Sequence, residues 1–187
     1  MRFKWVDYGT EYEEEIDKWM DDEWVTKYAV DESIKADYAS VMALDKITLN
    51  ENYACKVVFD GDALIAVVVL TVQHKPIHLA EKLIGIDCII VAPTERRKGY
   101  GVKINREIVE HIDIIMPALQ GANYIFDSEI DASHDVSLRM TEGAGFVQAE
   151  QTDDGWAIMM YPSSALARYR KYLAAFMENG KDWVEYL

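Results

Sequence analysis

The chain has 187 residues, half of them hydrophobic and 11% aromatic, so it can bury a sizeable core and is not expected to be disordered. Its formal net charge of −14 argues against nucleic-acid binding, which needs a broad basic surface. The longest apolar run, residues 63–70, is far shorter than the roughly 20 residues of a membrane-spanning helix, and the N-terminal residues lack the apolar segment of a signal peptide. We therefore expect a single cytoplasmic domain over residues 1–187, with no membrane partner.

Alternating and helical patterns organise the first half of the chain. Residues 3–8 alternate as a strand does, residues 11–24 form an acidic amphipathic helix, and residues 31–49 predict a second helix. The carboxylates of the first helix either line the entrance for a cationic substrate or form an ordinary solvated face. Residues 53–59 and 63–72 are β-rich and are joined by Asp60-Gly61-Asp62, which predicts a hairpin.

Cysteine and histidine spacing gives no sign of a disulfide or a metal site. Cys55 and Cys88 are isolated in apolar runs without a CxxC pattern, which indicates reduced core residues. His74 and His78 have the spacing of two metal ligands on a helix, but Pro76 lies between them and no third ligand is nearby. We therefore predict no metal ion.

The strongest signal lies in residues 86–116. An apolar strand over 86–91 ends at Ala92-Pro93, a basic turn containing Gly99 and Gly101 follows, and a helix with one apolar face runs to residue 115. Residues 96–106 hold five cationic side chains and no acid. Glycines let a backbone approach a ligand closely, and the first amides of a helix attract anions. The segment predicts a phosphate-binding turn, and an ordinary basic surface turn is the alternative.

The last third of the chain repeats the strand, helix and hairpin signals. We predict a strand over residues 123–130, a helix over 132–142, two strands joined by a turn at 153–155, and a helix over 163–177. The last helix carries Leu166, Tyr169, Leu173 and Phe176 at helical spacing. It packs either on its own domain or on a second subunit of a homodimer.

The glycine turn resembles the acetyl-CoA-binding motif of the GNAT superfamily of N-acetyltransferases. That motif is Val-x-Pro followed by [Q/R]-x-x-G-x-[G/A], and the chain has Val91-Ala92-Pro93 and then Arg96-Arg97-Lys98-Gly99-Tyr100-Gly101. The order of elements and the segment before Gly145-Phe146 are also similar to the family. The resemblance implies an α/β (α+β) fold with a mixed, mostly antiparallel central sheet flanked by helices. It covers about residues 1–161 and leaves residues 162–187 as an added helix and tail.

The resemblance further implies that acetyl-CoA is the co-substrate, that the acceptor is a primary amine of a small molecule or protein, and that no metal takes part. Two strands that splay apart near Val91 and Ile130 would grip the pantetheine arm. The residues implied to bind the cofactor are Ile90, Val91, Arg96, Arg97, Lys98, Gly99, Tyr100, Gly101, Val102 and His134.

The acceptor amine must lose a proton, and presenting a lysine-like amine uncharged at neutral pH costs about 4.6 kcal/mol. Asp87 is the only acid on the central strand. It lies two residues from Gly85, the position at which histone-type members of the family carry a Glu that acts as the base. By alternation Asp87 shares a face with Gly85, Ile89 and Val91, and Cys88 points to the other face. Glu129, on the next strand, is the second candidate for the base.

No tyrosine stands at the position of the family's acid, which protonates the departing thiolate. The family's tyrosine falls on Thr141, a much weaker acid, which leaves Tyr161 and Tyr124 as substitutes. A missing acid also permits a second function, a non-catalytic acyl-CoA-binding or sensing module. A third alternative is a nucleotide- or sugar-phosphate-binding domain that uses the same glycine turn.

Overall fold

The computed structural model describes residues 1–19, 53–73 and 81–178. The helix predicted over 31–49, the His74 and His78 pair and the C-terminal tail lie outside the described residues. In chain order the elements are β1 (Lys4–Asp7), α1 (Glu13–Asp17), β2 (Tyr53–Asp60), β3 (Ala63–Gln73), β4 (Lys82–Val91), α2 (Tyr100–Ile115), β5 (Tyr124–Asp131), α3 (Asp135–Gly143), β6 (Val147–Gln151), β7 (Trp156–Tyr161) and α4 (Leu166–Glu178). Short 3-10 turns precede α1 and α4 and flank α2.

In the part of the chain that is described, seven strands form one sheet in the order β1-β2-β3-β4-β5-β7-β6. Strands β1 and β2, β2 and β3, β5 and β7, and β6 and β7 pair antiparallel, whereas β4 and β5 pair parallel. A parallel pair needs a crossover connection, and α2 supplies it. The predicted mixed, mostly antiparallel sheet with flanking helices is therefore confirmed. Strand β4 begins at Lys82, earlier than predicted, because residues 82–85 pair with β5.

Both predicted hairpins are present. Strands β2 and β3 meet where Asp60 pairs with Ala63, and Gly61 in the turn has φ 63°. Strands β6 and β7 are joined through Gly155, with φ 94°. Positive φ is the conformation that favours glycine over residues with a side chain, so the turn residues were informative in the sequence.

The chain divides into two compact units, and β4 contributes to both. Unit 1 comprises Met1–Thr71 and Ile86–Gln120, and unit 2 comprises Val72–Gly85 and Gly121–Leu187. The core of unit 1 joins β2, β3 and the end of β4 to the N-terminal segment and α1. Its buried members are Tyr8, Ile16, Trp19, Cys55, Val57, Val67, Val69, Ile90 and Ala92.

Unit 2 has its own core beneath α4. Tyr169, Tyr172 and Leu173 of this helix are buried together with residues of β4, β5, β6 and β7, so the helix packs on its own unit. The strand and loop residues of that core are Leu83, Ile125, Ala149, Ile158, Met160 and Ala165. The hydroxyl of Tyr169 donates to the buried carboxylate of Asp127 at 2.7 Å.

Among the described residues, no helix has the length and apolar character needed to cross a membrane.

A buried carboxylate on α2 fixes the first strand in unit 1. Glu107 is only 7% exposed and accepts hydrogen bonds from the amide of Phe3 and from the indole Nε1 of Trp5, both at 3.0 Å. The amide of Arg2 donates to the same carboxylate. Three donors from the N-terminal segment therefore depend on one acceptor, and this attachment keeps α2 in place against β1.

We expect Glu107→Ala to lower the free energy of unfolding by about 2–4 kcal/mol, because the buried amide of Phe3 and the partly buried donors of Arg2 and Trp5 lose the acceptor that they share. Chemical denaturation measures the change. The matched control is Glu110→Ala on the exposed face of α2, which should be nearly neutral. Equal effects of the two substitutions would contradict the anchoring role of Glu107.

Candidate functional site

The backbone before α2 provides a set of unpaired amides. Gly99 caps the helix in the left-handed conformation, with φ 77° and ψ 17°, and the amide of Lys103 donates to the carbonyl of Gly99 at 3.3 Å. Within the described residues, the amides of 97–102 donate to no protein acceptor. They lie at the positive end of the helix dipole, where anions bind favourably.

Arg97 adopts the left-handed conformation as well, with φ 65°, and is the one non-glycine residue with positive φ in the described part of the chain. This conformation costs a residue with a side chain about 1–2 kcal/mol. Strain of this kind is concentrated at ligand sites, and successive amides around a left-handed residue form anion-binding concavities. Gly101 differs from the expectation: it lies in the first turn of α2 and is not one of the glycines with positive φ.

Several cationic side chains of the turn are already bound by the protein. Lys98 Nζ contacts both carboxylate oxygens of Glu95, at 3.0 and 2.9 Å. Arg96 Nε donates to the carbonyl of Val91 at 3.1 Å, and Lys103 Nζ lies 5.1 Å from the ring centre of Tyr100. Arg97 is exposed and forms no ion pair among the described residues. A contact with a neutral carbonyl or an aromatic ring leaves the charge of Arg96 and Lys103 in place, so these side chains and Arg97 add to the positive potential of the amides.

The side chain of Tyr100 points to the β2–β3 hairpin. Its hydroxyl donates to Asp60 Oδ2 at 2.8 Å, and its ring centre lies 5.8 Å from that of Phe3. This hydrogen bond holds the pKa of Asp60 below its usual value and raises the pKa of Tyr100. Any contribution of Tyr100 to a bound anion therefore comes from its amide.

The other predicted cofactor residues of unit 1 flank the turn. Ile90 is buried in the core of unit 1, so its side chain is not available to a ligand. Val91 is the half-buried last residue of β4, and Val102 is half-buried in the first turn of α2. The structure therefore brings together the predicted cofactor residues of unit 1, from Ile90 to Val102.

Asp87, the first candidate for the base, is exposed on β4 of unit 1. Its Oδ1 accepts a hydrogen bond from Thr71 Oγ1 on β3 at 3.1 Å. Thr71 is paired with Tyr53 on β2, and burial, followed by the negative charge of Asp87, raises the pKa of Tyr53 to about 12. Tyr53, Thr71 and Asp87 thus form a polar row across three strands.

The expected alternation along β4 is wrong at Asp87 and Cys88. Cys88 packs against the unit 1 core that contains Val67 and Val69, and these two valines share a face of β3 with Thr71 by alternation. Since Thr71 is also the hydrogen-bond partner of Asp87, two consecutive residues of β4 reach the same face. Both residues also raise the pKa of Tyr53 through their charge.

Glu129 and Tyr161 are in unit 2, on opposite faces of its strands. Glu129 is exposed and pairs with Ile158, which belongs to the core beneath α4. Tyr161 pairs with Phe126, and its ring packs on Phe146 with 5.6 Å between centres. Paired residues on neighbouring strands share a face. Phe126 and Glu129 are an odd number of residues apart on β5, so they and their partners lie on opposite faces. The structure therefore does not bring these two candidates together.

Three further positions of unit 2 bear on the sequence analysis. His134 precedes α3, and its Nδ1 lies 3.1 Å from Ser137 Oγ. Thr141, where the resemblance expects the acid, is only 2% exposed and points into the interior. Tyr124 packs beside Phe126 at 6.1 Å between ring centres.

The sequence analysis missed Thr71 and Tyr53 in unit 1 and the Asp127–Tyr169 pair in unit 2. Burial, followed by the charge of Asp127, raises the pKa of Tyr169 far above its usual value, so this phenol stays neutral. Alternation could have placed Asp127 on the face of Glu129. Residue patterns alone do not reveal the register that brings Thr71 to Asp87.

A model of the acetyltransferase (GNAT) family matches residues 14–146, which is more than two thirds of the chain. The chain belongs to the GNAT family. The family is one of acetyltransferases, so this GNAT protein is an acyltransferase. No curated protein sequence is similar enough to count as a match.

Solved structures share the GNAT fold of this chain at low sequence identity. Aminoglycoside acetyltransferase AAC(6')-Ib with coenzyme A and kanamycin is 18% identical, with a TM-score of 0.60, over 90% of this chain and 99% of its own. The aminoglycoside N(6')acetyltransferase of Legionella pneumophila is 14% identical, with a TM-score of 0.63, over 91% and 97%. Spermidine N-acetyltransferase of Vibrio cholerae with CoA and spermine is 17% identical, with a TM-score of 0.57, over 89% and 98%.

In the described ranges, no three His, Cys, Asp or Glu side chains are grouped as a metal site requires. Both cysteines are free thiols. Cys55 is fully buried, and burial raises the pKa of its thiol to about 12, whereas Cys88 is half-buried.

We expect Cys55 to resist alkylation in the folded protein, because at pH 8 a thiol of this pKa has roughly a thousandfold less thiolate than an ordinary one. Cys88 should react first with iodoacetamide, and peptide mass spectrometry can follow both residues. The Cys88→Ala variant isolates Cys55, and the unfolded chain shows its full reactivity. Equal labelling of both cysteines in the folded protein would contradict the burial of Cys55.

Proposed function

We propose that this GNAT protein transfers an acetyl group from acetyl-CoA directly to a primary amine. The observation that carries the proposal is the set of unpaired amides at 97–102, curled around left-handed Arg97 and Gly99. A diphosphate has the charge and the number of oxygen acceptors that such a set of amides binds. Family membership and the CoA complexes among the similar structures support the same reading.

The turn before α2 and the end of β4 would each contact a different part of coenzyme A. The amides from Arg97 to Val102 would hold the diphosphate, and the Arg97 guanidinium would add a charged contact. The main chain at Ile90 and Val91 would bind the pantetheine arm. In unit 2, His134 stays a proposed contact to that arm, on the strength of the resemblance alone.

When bound, acetyl-CoA supplies the acetyl group as an activated thioester. The chain contributes mainly by holding the two reactants together, which is worth about 7–11 kcal/mol when the geometry is right. Asp87 is our proposed proton acceptor, because it is exposed in the same unit as the amides and four residues from the end of β4. That separation corresponds to about 13 Å along a strand. Accepting the proton offsets the cost of presenting a neutral amine.

Glu129 and Tyr161 stay candidates for the base and the acid in unit 2. Because they lie on opposite faces of β5 and β7, at most one of them can serve a given reacting atom. Asp127 is a weaker candidate than either, since its carboxylate is buried and receives the Tyr169 hydroxyl.

We propose a small cationic amine as the acceptor. Kanamycin and spermine, which are present in similar structures, both carry several amino groups. The net charge of −14 would attract a polycation by long-range steering. A protein amine is the alternative acceptor. A CoA-binding sensor without turnover is the alternative function, favoured by the buried Thr141 where the family's acid would be.

The cofactor site is tested by calorimetric titration with acetyl-CoA, CoA and ATP. We expect acetyl-CoA and CoA to bind and Gly101→Glu to abolish binding, because it places bulk and negative charge beside the unpaired amides. Ile114→Glu makes the same charge change on an exposed position of α2 and should bind normally. Undiminished CoA affinity in Gly101→Glu would refute the site, and a preference for ATP would favour a nucleotide-binding domain.

Turnover separates the enzyme from the sensor. Release of the CoA thiol is followed with a panel of amines that includes spermine, spermidine, kanamycin and a lysine peptide. We expect thiol release with at least one cationic amine. Tight CoA binding without release on any amine would favour the sensor.

A further inference from the structure

The polar row across unit 1 has a role beyond that of Asp87 alone. Tyr53 on β2 and Thr71 on β3 are register partners, and Thr71 Oγ1 lies 3.1 Å from Asp87 Oδ1 on β4. That distance is within the range of a good O–H to carboxylate hydrogen bond. Asp87 is exposed, whereas Thr71 and Tyr53 are half-buried, so the row leads from the core edge to an open carboxylate.

We propose that Thr71 is a positioning residue that holds the Asp87 carboxylate for proton acceptance, with Tyr53 supporting it from β2. This inference rests on the proposed function, in which Asp87 is the base. Thr71 acts only through Asp87 and has no contact with substrate in the proposal.

The chemistry of a threonine suits this role. Its branched Cβ restricts χ1, so the hydroxyl points in a fixed direction. A carboxylate is an acceptor on both oxygens, and a hydroxyl that donates to Oδ1 fixes the plane of the group. The Oδ2 atom is then the oxygen that receives the proton. In that step an ammonium N–H bond breaks, the proton moves to Oδ2, and the nitrogen lone pair becomes available for acyl transfer.

Tyr53 and Cys55 place no negative charge beside the polar row. Among the described residues, the Tyr53 phenol on β2 interacts electrostatically with Asp87, and the Cys55 and Cys88 thiols act on the same phenol. With a pKa of about 12, Tyr53 stays neutral at any working pH and adds no second negative charge. Cys55, with a similar pKa, also stays neutral. The hydroxyl of Thr71 stabilises the charged form of Asp87 by a direct hydrogen bond.

The sign of the pH effect follows from this bond. A hydroxyl that donates to a carboxylate stabilises its charged form, so removal of the hydroxyl makes the carboxylate bind a proton at higher pH. Loss of one hydrogen bond to a charged group corresponds to a shift of about one pH unit. The acidic limb of kcat/KM should move upward by that amount.

A double-mutant cycle with Thr71→Val and Asp87→Asn tests the proposal. We expect Thr71→Val to lower kcat about tenfold near neutral pH, to move the acidic limb upward, and to leave the KM for acetyl-CoA unchanged. Thr71→Ser keeps the hydroxyl and should restore most of the activity. In the Asp87→Asn background, Thr71→Val should change kcat less than about twofold, since the group on which it acts is gone.

The outcomes separate this inference from the proposed function. Wild-type activity with an unchanged pH profile in Thr71→Val overturns the positioning role alone. An equal loss of kcat in both backgrounds also overturns it, because Thr71 would then act as a structural residue. A wild-type protein that acetylates no amine overturns the proposed function together with this inference. Thr71→Ala replaces Thr71→Val in the cycle if the valine variant does not fold.

Discussion

The backbone at the start of α2 is the constraint around which unit 1 is built. Left-handed Arg97 and Gly99 turn the chain so that the amides of 97–102 remain without protein acceptors. Unpaired amides are unfavourable unless water or a ligand satisfies them. The conformation therefore requires support from elsewhere. The Tyr100 hydroxyl on Asp60 ties the turn to a hairpin, and Glu107 ties the same helix to β1.

This arrangement explains how an acidic protein can bind an anion. Lys98 is paired with Glu95, whereas Arg96 donates to the neutral carbonyl of Val91 and keeps its charge. The local attraction then combines side-chain charges with main-chain dipoles, which are fixed in direction and do not titrate. On the proposed function, the negative charge of the rest of the chain would attract a cationic acceptor, so the two substrates would be held by opposite electrostatics.

Local signals in the sequence predicted the elements well. The Asp60-Gly61-Asp62 turn, the basic glycine turn and the isoleucine stripe of α2 each depend on neighbouring residues only, and the structure confirms the hairpin and the helix. The face that a strand residue occupies can be predicted only where the strand alternates regularly. That prediction failed at Asp87 and Cys88, which reach the same face. The pairing of Tyr53 with Thr71, and of Thr71 with Asp87, depends on strand register. A single sequence does not contain that register.

The C-terminal helix shows the same distinction. Its apolar spacing predicted a buried face, but the sequence did not say what it covers. In unit 2 the helix buries Tyr169 against Asp127 of β5, so it completes the core of that unit. The sequence predicts Glu129, on the strand that follows Asp87, as the second candidate for the base and Tyr161 as a substitute acid. Register with β7 places them on opposite faces.

The central claim is that coenzyme A rests on the amides of residues 97–102. The most direct measurement is a titration of the ¹⁵N-labelled protein with CoA, followed by amide resonances in two-dimensional NMR. The account predicts that the amides of Arg97 to Val102 shift most and saturate together at the CoA affinity. Saturable CoA binding that leaves these amide resonances unmoved would contradict it.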